Sequence, residues 1–215
     1  MRHHTLISFA AWMTITATSL VAGAKPLPVV ADPAAQAAST RTLKELGGQP
    51  LAGMPAAHQL GKTTFGEPFV VKMVQLDDLQ RYQPGVSDAA ALLRDAQSVL
   101  YPIRVAGKLH GEMVVGKVGG SWSARGFAGA GRLKVLEEAR GRLAGAAALP
   151  AGTTMLVQVP ALNLEFIGHT DENGLQLTPI TSRPEAGLTA GQTLPAARVF
   201  ELLVPLAQQH QGLPT

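Results

Sequence analysis

Apolar positions recur along this chain in two rhythms, and each predicts a kind of element. Alternation marks strands. From residue 109 to 115, Leu109, Gly111, Met113 and Val115 face one way while His110, Glu112 and Val114 face the other. Tyr101, Ile103 and Val105 alternate with Pro102 and Arg104, and a third run leads from Trp122 to Phe127. Gly107 and the pair Gly119-Gly120 turn the chain between them, so the three runs predict an antiparallel meander. "PFVVKMVQL" (68–76) reads as a strand, and "DDLQRYQPG" after it as a single helical turn. Farther along, "TTMLVQV" (153–159), "ALNLEFIG" (161–168) and "LQLTPI" (175–180) are β-rich. Asn173-Gly174 supplies the positive-φ positions that a tight hairpin needs ahead of the last of these.

The second rhythm has the helical period. Over "GRLKVLEEARGRLAGAA" (131–147), Leu133, Leu136, Ala139 or Arg140, and Leu143 form one stripe, and Glu138 precedes Arg142 by four residues, the favourable order. Val199, Phe200, Leu203 and Leu206 form another stripe near the C-terminus, where Pro205 is expected to kink or end the helix near Val204. Ser87 and Asp88 stand as a cap ahead of Leu92, Leu93, Ala96, Val99 and Leu100, which predicts a third helix. Asp32-Pro33 and Gly47-Gly48 bracket a fourth, whose only large apolar residues are Leu43 and Leu46; it is expected to dock loosely.

Strands adjacent in sequence, joined by short turns and followed by helices long enough to cover them, predict an α+β fold: an antiparallel sheet covered on one face by helices, in two layers. The expected organisation is a signal peptide over 1–24, a flexible or partly helical segment over 25–67, one α+β domain over 68–210 and a tail over 211–215. This layout is similar to the small sheet-plus-helix domains of cystatin-like exported binding modules. The run "LVQVPA" (156–161) has Ala161 where the inhibitory loop of cystatins has glycine, so the likeness is one of architecture and implies no inhibitor function.

The signal peptide rests on three parts: the basic start Arg2-His3-His4, the apolar stretch Leu6 to Val21, and the small-x-small end Ala22-Gly23-Ala24. Thr14, Thr16, Thr18 and Ser19 interrupt the apolar stretch, which falls short of the roughly 20 apolar residues of a spanning helix. The chain has no cysteine, which excludes disulfides, thiolate metal sites, a Cys nucleophile and lipid attachment at a cleavage-site Cys. Together these features predict a bacterial protein exported to the periplasm or secreted, with no stable membrane span after cleavage. The formal charge is +3, carried by scattered residues, so no nucleic-acid partner is expected.

Candidate chemistry is sparse. Gly61-Lys62-Thr63 resembles the end of a phosphate loop, but Ala56 stands where the first glycine belongs, and Gly66 and Pro68 break the helix that should follow. His110 and Glu112, two apart in a strand, point to one face and could offer two metal ligands, one short of a site. His169, Asp171 and Glu172 crowd a hairpin tip without calcium-loop spacing. Gly120-Ser121-Trp122-Ser123-Ala124 lacks the final glycine of a nucleophile elbow. No metal or cofactor is expected. The reading that survives is a non-catalytic exported domain binding a protein, peptide or envelope component, with Trp122, His110, Glu112, His169 and Asp171 as candidate surface residues. Its rival is an exported hydrolase assembled from residues distant in sequence, such as His110, Glu112 or His169 with Asp171.

Overall fold

A computed structural model describes residues 29–45, 63–147 and 149–210. The expected signal peptide, the greater part of the expected linker and the tail lie outside the described residues. The elements run α1 (Pro33–Glu45), β1 (Thr63–Phe65), β2 (Phe69–Met73), α2 (Leu76–Gln80), β3 (Arg94–Val105), β4 (Lys108–Val118), β5 (Ser121–Gly129), α3 (Ala130–Ala147), β6 (Thr154–Val159), β7 (Leu164–Asp171), β8 (Gly174–Pro179), β9 (Leu194–Pro195) and α4 (Ala196–Gln209). Thr63 therefore opens a strand where a phosphate loop would open a helix.

All strands join one sheet in the order β5-β4-β3-β2-β6-β7-β8-β9, with β1 on β3 beyond β2. Two antiparallel meanders meet at its centre, where β2 and β6 are parallel. The parallel pair follows from connectivity. α3 carries the chain from the β5 edge back to the middle of the sheet, a crossover that a hairpin cannot make.

The expected two layers are corrected to helices on both faces. Along β6, Leu156 packs with Leu133, Leu136 and Leu143 of α3, whereas Met155, Val157 and Val159 pack with Val199, Phe200 and Leu203 of α4. α1 lies on the same face as α4, over Val99, Tyr101, Ile103, Met113 and Val115. Side-chain alternation makes the assignment unambiguous: Leu100 serves the α3 face and its neighbours Val99 and Tyr101 serve the α1 face.

A break in strand period explains a misread element. The expected helix after Ser87 is a 3-10 turn, Ala89–Leu92, and then the twelve-residue strand β3. Asp88 does cap, its side chain accepting from the Ala90 amide at 2.9 Å, but the turn it starts ends at Leu92. The misread stretch carries exposed Arg94, Asp95 and Gln97, and a register shift with Gln97 at φ 48° breaks its period of two, which leaves Leu92, Leu93, Ala96, Val99 and Leu100 at a spacing that mimics a helix. Pro102, awkward inside a sheet, lies where β1 gives way to β2 along β3, so the ladder is already interrupted there.

Two helices differ from expectation. α1 docks firmly, because Ala35, Ala38 and Ser39 are buried and their small side chains let the helix sit close against β4 and β5. α4 runs through Pro205 to Gln209. Pro205 lies on the exposed face, so the Glu201 carbonyl that it leaves without a helical partner is turned toward water.

At the β4–β5 pairing, a Cβ on Gly111 would stand 2.7 Å from the Ala128 carbonyl oxygen. Backbone cannot yield as a side-chain end can, so Gly111→Ala is expected to cost about 1–3 kcal/mol of stability, read as a lower urea midpoint at unchanged slope.

Candidate functional site

The five candidate residues occupy three separate places. A register shift between β3 and β4 pairs Ile103 with Gly111 and Arg104 with Leu109, leaving His110 out of the pairing. The even alternation expected to aim His110 and Glu112 together is thus broken between them. Glu112 is instead buried on the α3 face, where its Oε1 accepts from Arg132 Nη1 at 3.1 Å while its Oε2 has no partner.

Arg132, in the first turn of α3, also donates to Glu165 of β7, at 2.6 Å from Nη2 and 3.3 Å from Nε. Gln158 donates to the same carboxylate at 2.8 Å. β4 and β7 stand four places apart in the strand order, about 19 Å in a flat sheet. One guanidinium at the start of α3 bonds both carboxylates, across the strands that separate them. Burial is the largest influence on both acids, with opposite outcomes. It pushes the Glu112 carboxyl up, with Arg132 opposing. At Glu165 burial pushes the same way, but the hydrogen bonds from Arg132 and Gln158 outweigh it and hold the carboxyl below its ordinary value. No sequence pattern pointed to Arg132 or Glu165; each reads as an ordinary polar position in its own element.

His169 and Asp171 also part company. His169 lies in a buried cross-strand row with Thr154 and Gln176, and its Nδ1 and the Thr154 hydroxyl have no hydrogen-bond partner. Asp171 accepts from the Asn173 amide at 2.8 Å and from Gln176 Nε2 at 3.2 Å, with no hydrogen bond to His169. Burial lowers the His169 pKa below its ordinary value, the Asp171 charge opposing weakly. A pKa depressed by folding means that the unfolded chain takes up the proton first. The contribution is therefore whole above about pH 6.5 and is lost as pH falls through the folded-state value. Urea midpoints measured from pH 7.5 down to pH 5 are expected to fall more steeply for the parent chain than for His169→Gln.

Trp122 is the fifth residue and the one found at a cleft. It packs on the α1 side of the sheet and donates its Nε1 to Asp32 Oδ2 at 2.9 Å, while Asp32 Oδ1 accepts from the Ala34 amide at 2.8 Å. One carboxylate thereby caps α1 and ties it to β5. The backbone bond to Ala34 and then the indole bond hold the Asp32 carboxyl below its usual value.

α1 covers β3, β4 and β5, α4 covers β6, β7 and β8, and between them the sheet carries a trough of about 410 Å³. Val70 and Val99 line it together with Lys72, Asp95, Gln97, Ser98 and Lys117; Val29, Val30, Asp32 and Trp122 complete the lining. A register shift between β2 and β3 brings Gln97 in with φ 48°, and the Asp95 carboxylate accepts from the Gln97 amide at 2.9 Å. A non-glycine residue in the left-handed region carries a conformational cost, and such bulges re-aim side chains.

None of His110, Glu112, His169 or Asp171 lines this trough. Among the described residues no three His, Asp or Glu side chains converge in a way that could hold a metal ion, and no helix is long and apolar enough to cross a membrane. In comparisons with known proteins the chain matches no family model, no curated protein and no solved structure.

Proposed function

We propose that this protein is an exported, non-catalytic binding module and that the trough between α1 and α4 is its recognition surface. The observation that carries the reading is the trough itself: a volume of ligand size on the sheet, with Val70 and Val99 among polar and charged side chains and an aromatic residue on its wall. Export is supported by the leader-like pattern of residues 1–24. The ligand is a protein, peptide or other component of the cell envelope. The rival hydrolase reading draws less support, since Glu112 is engaged by Arg132 and Asp171 is bonded to Asn173 and Gln176.

The test is capture from an envelope extract by the parent chain and by Val70→Trp, whose indole would fill the trough floor, with circular dichroism to show that both are folded. A component retained by the parent and lost by the variant is the expected result. Identical capture by both, or turnover of an extract component abolished by Glu112→Gln, would defeat the proposal.

A further inference from the structure

The lining of the trough sums to zero charge, two lysines against two aspartates. Lys72 Nζ stands 3.7 Å from Asp95 Oδ2. The Asp32 carboxyl is held low by the Ala34 amide, the Trp122 indole and, more weakly, the Lys117 charge. A ligand of net charge would lose hydration on entering and meet no net opposite charge there. A neutral ligand escapes that penalty if it can bond donors and acceptors together, and the trough offers both. Each aspartate accepts one backbone amide, at 2.8 Å for Asp32 and 2.9 Å for Asp95. A carboxylate has lone pairs beyond these, so both can accept further. The Gln97 amide and the Ser98 hydroxyl can donate and accept, and neither side chain makes a hydrogen bond among the described residues. Beside this polar set stands one aromatic. Trp122 is half-buried with its only polar atom already bonded to Asp32, so what it still offers a ligand is flat apolar surface.

A sugar has this double character: hydroxyls that each donate and accept, set around a ring whose C–H face is flat and apolar. We infer that the trough binds a neutral saccharide, its ring face against Trp122 and its hydroxyls bonded to Gln97, Ser98 and the two aspartates. The volume of about 410 Å³ suits a disaccharide. A peptide fits less well. Extended chains are held by a free strand edge, and the trough lies over β2 and β3, which are interior strands. This rests on the trough being the recognition surface and names its ligand as a glycan component of the envelope.

The test is calorimetric titration of the full chain with four neutral disaccharides: cellobiose, maltose, lactose and diacetylchitobiose. The cationic, de-acetylated form of the last, a glucuronate-bearing anionic form of the first, and a blocked trialanine peptide serve as contrasts. Saturable binding of at least one neutral sugar, unchanged from low to high salt and stronger than any contrast, is the expected result. Trp122→Leu should weaken it about tenfold, by loss of the flat ring. Gln97→Asn, which tolerates the left-handed backbone but withdraws the amide, should weaken it about fivefold. Circular dichroism shows whether each variant is folded. Tighter binding of a charged form or of the peptide, or unchanged affinity in both variants, overturns the inference while leaving the trough as a recognition surface. Silence from all four neutral sugars also overturns it. The recognition surface itself is judged separately, by whether Val70→Trp retains the same components as the parent in the capture experiment.

Discussion

Phe200→Ala is expected to lower the unfolding free energy by about 3–5 kcal/mol, read from urea denaturation followed by circular dichroism. Phe200 is fully buried near the middle of α4, in the cluster that holds Val157, Val159, Phe166 and Leu177. It also meets Tyr82 edge-on, with ring centroids 5.8 Å apart and planes at 77°. Truncation removes the apolar burial and the aromatic pair together, and it leaves a void between α4 and a sheet that is held on its other face by α3 and cannot collapse freely. Leu206→Ala, six residues farther along the helix and only partly buried, should cost clearly less. Equal losses at the two positions would mean that α4 packs by a different face.

Arg132→Met is the second large effect, expected at about 3 kcal/mol near neutral pH. The change keeps an apolar stem of similar length but strands Glu112, which is 3% exposed and has no other partner. Glu165 is less affected, because it is partly exposed and keeps the hydrogen bond from Gln158. The pH dependence identifies the cause. Burial already raises the Glu112 pKa, and without Arg132 it rises further. A carboxyl raised by folding takes up its proton more readily in the native state, so the penalty in Arg132→Met should shrink as pH falls toward 5 and grow as pH rises. Adding Glu112→Gln to Arg132→Met is expected to recover most of the loss at pH 7. A loss that is flat with pH and not recovered would place the cost in lost packing of α3 and not in an isolated buried charge.

How much of this was legible in the residues varies with distance along the chain. The hairpin at Gly119-Gly120 is made by two residues with φ of 56° and 86°, whereas of the expected Asn173-Gly174 pair only the glycine takes positive φ, at 99°. Glycine in such turns announces itself, because few other residues take those angles. The α3 stripe behaves likewise: Leu133, Leu136, Ala139 and Leu143 are all buried. Tyr101 to Val105 of β3 was read as a strand, whereas its first half was misread as helix because the bulge at Gln97 breaks the alternation there. The site was less legible still. Arg132 and Glu165 are 33 residues apart, and neither lies in a motif. Trp122 stood out, but the partner that orients it, Asp32, is 90 residues away.

The amino-acid sequence by itself determined the local elements and several outright exclusions. Periodicity and turn chemistry act between near neighbours, so they placed β4, β5, β7, β8 and α3 close to where they are. The absence of cysteine ruled out disulfide and thiolate chemistry whatever the fold. Tertiary structure alone decided which face of the sheet each helix covers, the parallel junction of β2 with β6, and the bonds from Arg132 to two distant strands. It also decided the trough, which is the uncovered sheet left between two helices. Those features depend on contacts between residues tens of positions apart, and a contact of that kind leaves no period in the chain from which it could be read.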